Sequence, residues 1–220
     1  FLVSEDLVEW EYHSLKDVPV YDYAPDVRAI GEYLYFSASK RDDNCSFFRT
    51  KDPINGEFEE IEGTFPFWDP NLFCDDDGKI YFYWGMSNDR PIYGVELEPK
   101  HMKPIGNQVE LIFSDTTTKG YERTGENHIA PRTPEHIEEN VKKVIEEHGG
   151  DVSEIPEEQM NMLRQIFGND PFIEGPWMDK HNGKYYLQYA SPGTEYNVYS
   201  DAVYVSDHPL GPFTLAKNNP

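Results

Sequence analysis

Three stretches of the chain share one pattern, a glycine followed by a run of aromatic and aliphatic residues. They are Gly31-Glu32-Tyr33-Leu34-Tyr35-Phe36-Ser37-Ala38-Ser39, Gly78-Lys79-Ile80-Tyr81-Phe82-Tyr83-Trp84-Gly85 and Gly183-Lys184-Tyr185-Tyr186-Leu187-Gln188-Tyr189-Ala190-Ser191. Short aromatic runs opened by turn residues predict β-strands. Asp77-Gly78 and Asn182-Gly183 predict type I′ hairpins, whose two central residues both take positive φ. A second phrase recurs as Val3-Ser4-Glu5-Asp6-Leu7-Val8-Glu9-Trp10, as Arg49-Thr50-Lys51-Asp52-Pro53 through Phe58, and as Val205-Ser206-Asp207-His208-Pro209 through Phe213. A strand meander repeating at about fifty residues predicts the blades of a β-propeller. Gly31 to Gly78 is 47 residues and fits, whereas Gly78 to Gly183 is 105.

The surplus of roughly fifty residues falls between about 121 and 170, where the periodicity changes from strand to helix. Thr133-Pro134 offers an N-cap followed by proline at the first helical position. Ile137, Val141, Val144 and Ile145 then share one helical face and Gly149-Gly150 ends it, while Met160, Leu163 and Phe167 form a second stripe ending at Gly168. The expectation is a helical insertion at 121–170, either a solvated hairpin packed on the rim or a cover over a pocket.

Composition narrows the partners. The formal net charge is −22, and the segment from Pro134 to Gln159 holds nine acids against two Lys/Arg. Such a balance excludes a nucleic-acid partner and an anionic membrane surface, disfavours an acidic polymer and leaves neutral ligands. No stretch approaches the ~20 apolar residues of a membrane span. Cys45 and Cys74 are the two cysteines; without CxxC spacing they predict two buried free thiols in strands, and the compartment stays undecided. No cofactor and no metal site are expected. Asp75-Asp76-Asp77 lacks the EF-hand ligand set and is read as a hairpin turn. His128, His136 and His148 are out of metal-ligand register.

Candidate chemistry comes from two acids. Asp69 in Trp68-Asp69-Pro70-Asn71-Leu72-Phe73 lies nine residues before Gly78, and Glu174 in Ile173-Glu174-Gly175-Pro176-Trp177 lies nine before Gly183. Equivalent positions in successive blades point toward one axis, so two carboxylates converge, the arrangement that glycoside hydrolysis uses. Trp68 and Trp177 offer flat apolar faces for sugar rings. Tyr121-Glu122-Arg123 with Gly125-Glu126-Asn127 is a weaker candidate for a subsite.

Taken together, Tyr23-Ala24-Pro25-Asp26, Trp68 to Phe73 with Asp75-Asp76-Asp77-Gly78, Ile173-Glu174-Gly175-Pro176, and Val205-Ser206-Asp207 with Pro209 to Phe213 resemble glycoside hydrolase family 43. The resemblance covers nearly the whole chain outside 121–170. It implies a five-bladed β-propeller that inverts the anomeric centre of arabinan- and xylan-derived substrates. It implies Glu174 as general acid and Asp69 as the carboxylate that raises and orients that acid. Tyr23 and Asp26 enter as substrate-binding candidates, with a structural role for Asp26 equally open. The family's general base is an aspartate of the first blade and its axial histidine belongs to the last. The 220 residues are therefore expected to be one partial propeller domain, roughly blades two to four, without its N- and C-terminal blades and without the base, so inactive or weakly active alone. Two other readings are a sugar-binding propeller that has lost catalysis and a fructan-type five-bladed glycosidase. The latter type carries Arg-Asp-Pro and a cysteine after the acid, where this chain has Trp68-Asp69-Pro70 and Gly175.

Overall fold

In the computed structural model, which describes residues 1–15, 18, 24–40, 43–62, 65–128, 132–168 and 171–219, each glycine-led aromatic run is the second strand of an antiparallel meander. Two short strands come first, β1 (Leu2–Val3) and β2 (Glu11–Tyr12), paired with each other. The first four-stranded sheet is β3 (Asp26–Ile30), β4 (Tyr33–Ser37), β5 (Phe47–Thr50) and β6 (Glu59–Ile61). The second is β7 (Asn71–Cys74), β8 (Ile80–Trp84), β9 (Ile92–Glu98) and β10 (Lys103–Ile112). The third is β11 (Glu174–His181), β12 (Lys184–Ser191), β13 (Ser200–Ser206) and β14 (Thr214–Leu215).

The middle sheet is covered on both faces, which is why all five residues of β8 are buried. Ile80, Phe82 and Trp84 pack toward the first sheet with Phe47, Phe65, Phe67 and Leu72. Tyr81 and Tyr83 pack toward the third with Met178, Leu187 and Tyr189. Phe82 meets Phe47 edge-on at 5.2 Å and Phe67 at 4.8 Å between ring centroids, the offset geometry that aromatic quadrupoles favour.

The first strands of the three sheets lie side by side and are stitched by polar residues. Asp26 Oδ2 accepts the Leu72 amide at 2.6 Å, and Asn71 Oδ1 accepts the Met178 amide at 2.8 Å. Asp26 and Asn71 each open a first strand, so the same bond is made twice, one sheet further on. Asp75 adds a second tie, accepting from Lys180 Nζ and Tyr185 Oη of the third sheet. The Asp75-Asp76-Asp77 run thus does more than form a turn.

Local turn chemistry follows the recurring phrase. Ser4, Thr50 and Ser206 accept amides two or three residues on, and Asp6 and Asp52 each accept two amides of the tight turn that follows. These are the Asx and Ser/Thr turns expected of such residues. One hairpin expectation is corrected. Asn182 and Gly183 have φ of 49° and 75°, a type I′ turn, but of Asp77 and Gly78 only the glycine is left-handed. There Gly78 N–H donates to Asp75 O and Asp75 N–H to Lys79 O, a three-residue loop that needs one left-handed position. The cysteine expectation is also corrected: Cys45 is buried but precedes β5, and Cys74 is only half-buried in β7, both as free thiols.

Between β10 and β11 come α1 (Pro134–Glu147) and α2 (Glu157–Phe167), with short 3₁₀ turns around them. Thr133 caps α1, its side chain accepting the His136 amide. Val141, Ile145 and Met160 make a separate small core with Ile137, Leu163 and Phe167 around it. Among the described residues no helix is long and apolar enough to cross a membrane.

Candidate active site

Each sheet begins with one residue in the left-handed region directly before a proline: Ala24 (φ 51°), Asp69 (φ 47°) and Gly175 (φ 59°). The backbone equivalent of Asp69 is therefore Gly175, and that of Glu174 is Trp68. The shared nine-residue spacing arises because the loop after β7 carries more residues than the turn after β11: residues 75–79 separate the pair Cys74–Ile80, while only 182 and 183 separate His181–Lys184. Two acids one position apart nevertheless face one cavity, because Asp69 reaches across to the next sheet and its Oδ2 accepts the Gly175 amide at 3.0 Å. Aspartate tolerates left-handed backbone better than most side chains, so the position costs Asp69 little.

The cavity has a volume of about 770 Å³ and is lined by Ala24, Asp69, Met86, Asn88, Thr124, Met162, Phe172, Glu174, Gly175 and the loop Pro192–Tyr196 with Tyr199. Asp69 is 5 % exposed. Burial first, and the negative charge of Glu174 second, push its carboxyl up from 3.8 to about 7 against the lowering pull of the Gly175 amide. Glu174 is also raised: burial leads, the Tyr199 hydroxyl donating to Oε1 at 2.9 Å opposes it, and the charge of Glu195 adds. Burial is the leading cause for both; the added repulsion comes from Glu174 at Asp69 and from Glu195 at Glu174. Charge repulsion between neighbouring carboxyls is shared by the pair. Geometry distinguishes them more sharply. Asp69 is buried with one oxygen on a backbone amide, whereas Glu174 is half-buried at the cavity wall with Oε1 on the Tyr199 hydroxyl.

Other sequence candidates fall elsewhere. Trp68 lines a neighbouring cavity of about 200 Å³ with Trp84, Arg90 and Tyr93, and Met86 is common to both cavities. Trp177 is absent from either lining; its ring carries the Arg28 guanidinium at 3.7 Å. Asp26 is occupied in the seam on the Leu72 amide and faces Arg28 at 3.6 Å. Tyr23 lies outside the described residues. Asp6 is committed to its turn, where the Glu9 and Val8 amides hold its carboxyl below the usual range. Glu122 is fully buried in an ion pair with Lys119 at 2.7 Å and accepts the Tyr189 hydroxyl at 2.6 Å, which makes it part of the framework. Among the described residues no group of three or more His, Cys, Asp or Glu side chains is placed to hold a metal ion.

Tyr199, Glu195 and Met162 were not singled out from the sequence. The first two sit in the loop after β12 where no periodicity marks a side chain's direction; Met162 lies off the apolar stripe of α2.

With this geometry in place, comparison with known proteins is informative. The sequence model of Glycosyl hydrolases family 43 matches residues 2–140, a span that includes Asp26 and Asp69 and ends inside α1. A xylosidase/arabinosidase 43A of Humicola insolens is 31 % identical over 190 residues, covering 83 % of this chain and 52 % of that protein. A β-xylosidase of Xylanibacter ruminicola is 29 % identical over 170 residues, covering 74 % and 43 %. The chain therefore belongs to glycosyl hydrolase family 43. It spans about half the length of the curated relatives it matches. Among solved structures, an endo-1,4-β-xylanase of Bacteroides thetaiotaomicron aligns over 100 % of this chain and 63 % of its own, with a TM-score of 0.64 at 21 % identity. A thermostable family-43 glycoside hydrolase aligns over 100 % and 64 %, with a TM-score of 0.60 at 22 % identity. These share the all-β fold.

Proposed function

We propose that this chain is part of an inverting glycoside hydrolase acting on pentose-containing oligosaccharides or polysaccharides of the xylan and arabinan kind. In this reading the three meanders are blades of a five-bladed propeller, and the cavity lined by Glu174 and Asp69 takes a neutral sugar. The observation that carries the proposal is the pairing of Glu174 with Asp69, whose carboxyl reaches the amide of the next residue. Family membership and the names of the two curated relatives support the substrate class.

Glu174 acts as the general acid. It faces the cavity, burial favours its protonated form, and Tyr199 fixes Oε1 so that the other oxygen presents the proton to the leaving group. Asp69 holds the Gly175 backbone and so the strand entry from which Glu174 projects. Its own proton is lost near neutral pH, and the charge it then carries favours the protonated acid. Asp26 is a positioning residue, since it ties β3 to β7 beside the site.

The test uses the full-length protein with aryl β-xylosides and α-arabinofuranosides. Turnover releasing sugar of inverted anomeric configuration, followed by ¹H NMR before mutarotation, is expected. Sugar binding without turnover would support the lectin-like alternative, and neither binding nor turnover would overturn the reading.

A further inference from the structure

The insertion has its own core, and Met162 stands outside it. Met160 is 5 % exposed within the helical hairpin, whereas Met162, two residues on, is 62 % exposed and lines the cavity that holds Glu174 and Asp69. Met162 is thus the side chain that α2 contributes to this cavity, turned away from the stripe of Met160, Leu163 and Phe167 that holds the hairpin together.

The described residues on either side of the hairpin are bonded to the sheets and their loops. On its return side, Ile173 exchanges both backbone hydrogen bonds with Ser87, at 3.0 and 3.2 Å, immediately before Glu174. Phe172, also a cavity residue, donates its amide to Glu122 O and accepts the Ser191 hydroxyl. On the entry side, Asn127 and Asn197 bond reciprocally through side chains and backbone, at 3.1 Å each, and Glu126 accepts the Asn197 amide at 3.0 Å. That docks the entry on the loop carrying Glu195, Tyr196 and Tyr199. Arg132 closes the base of the hairpin by donating to Phe167 O at 2.7 Å. The described residues that flank the hairpin are thus bonded on one side to the loop carrying Tyr199 and on the other to Ser87, Glu122 and Ser191, directly before Glu174.

We infer that the helical insertion forms a substrate subsite, in which the Met162 thioether packs against the apolar C–H face of the sugar in the leaving-group position. A thioether suits a ring that presents C–H bonds and must also depart, because it is polarizable and conformationally adaptable. This inference rests on the glycosidase reading, and the experiment below separates the two.

The chain holds five methionines. Three of them, Met102, Met160 and Met178, are buried within the fold, while Met86 and Met162 line the cavity. With ¹³C-methyl-methionine labelling of the full-length protein carrying Glu174→Gln, to prevent turnover, xylobiose is titrated in. The Met162 signal, assigned by its loss in Met162→Ala, is expected to shift together with Met86 while the three buried methyls stay fixed. If Met86 moves and Met162 does not, the subsite is refuted and the sugar site stands. If no methyl moves, the sugar site fails and the subsite with it. In the active protein, Met162→Ala should lower kcat/KM for xylobiose by roughly five- to tenfold, from the apolar area lost, and leave β-xylosyl fluoride, which has no leaving sugar, unchanged. Equal effects on both substrates would also overturn the inference.

Discussion

Replacing Asp69 by asparagine should stabilise the protein at alkaline pH and leave it unchanged in acid. The carboxyl is 5 % exposed and its value rises from 3.8 to about 7 on folding. A rise of about three units at 1.36 kcal/mol each makes ionised Asp69 cost the fold about 4 kcal/mol. The sign follows from proton binding. Between pH 3.8 and 7 the folded state holds a proton that the unfolded chain has released, so stability falls as pH rises through that window and levels off above it. Asparagine cannot ionise, keeps an oxygen for the Gly175 amide and accepts the φ of 47°. Urea denaturation of both proteins from pH 4 to pH 8 measures the difference. The variant's advantage should grow from near zero to the order of 4 kcal/mol, with unchanged m-values. A difference that does not vary with pH, or a wild type more stable at pH 8, would refute the argument. Glu174→Gln removes only the smaller cause, so Asp69 should remain above its ordinary value in that variant.

Two further substitutions act on the acid from opposite sides. Tyr199→Phe deletes the donor to Glu174 Oε1 and should raise the Glu174 pKa, moving the alkaline limb of the kcat/KM profile upward; an unmoved or lowered limb would count against the hydrogen bond's role. Glu195→Gln removes a negative charge that faces Glu174 and should move the same limb downward, and a shift in the same direction as Tyr199→Phe would contradict the assignment.

The strands were legible because β4, β8 and β12 carry aromatic residues behind a turn glycine, a pattern rewarded by burial along all of β8 and along the later part of β4 and β12. The helix α1 was legible from Thr133-Pro134 and its apolar spacing. The carboxyl pair was found through a spacing that holds for another reason: Asp69 and Glu174 differ by one backbone position, and extra loop residues after β7 hide it. Trp177 shows the limit of local reading. A register shift between Glu174 and Trp177, with Gly175 left-handed, redirects the chain, and the tryptophan stacks under Arg28 from β3 instead of facing the cavity. Tyr199 is placed by tertiary contact alone, which no pattern of neighbours announces.

The central claim is that Glu174 delivers the proton to the departing oxygen. In the full-length protein, Glu174→Gln should reduce kcat for unactivated xylobiose by roughly 10²–10⁴-fold, the usual contribution of general acid catalysis. A dinitrophenyl xyloside, whose leaving group needs little protonation, should lose far less. The ratio of the two losses is the measurement that decides the account. A large ratio is predicted; equal losses for good and poor leaving groups would show that Glu174 is not the acid.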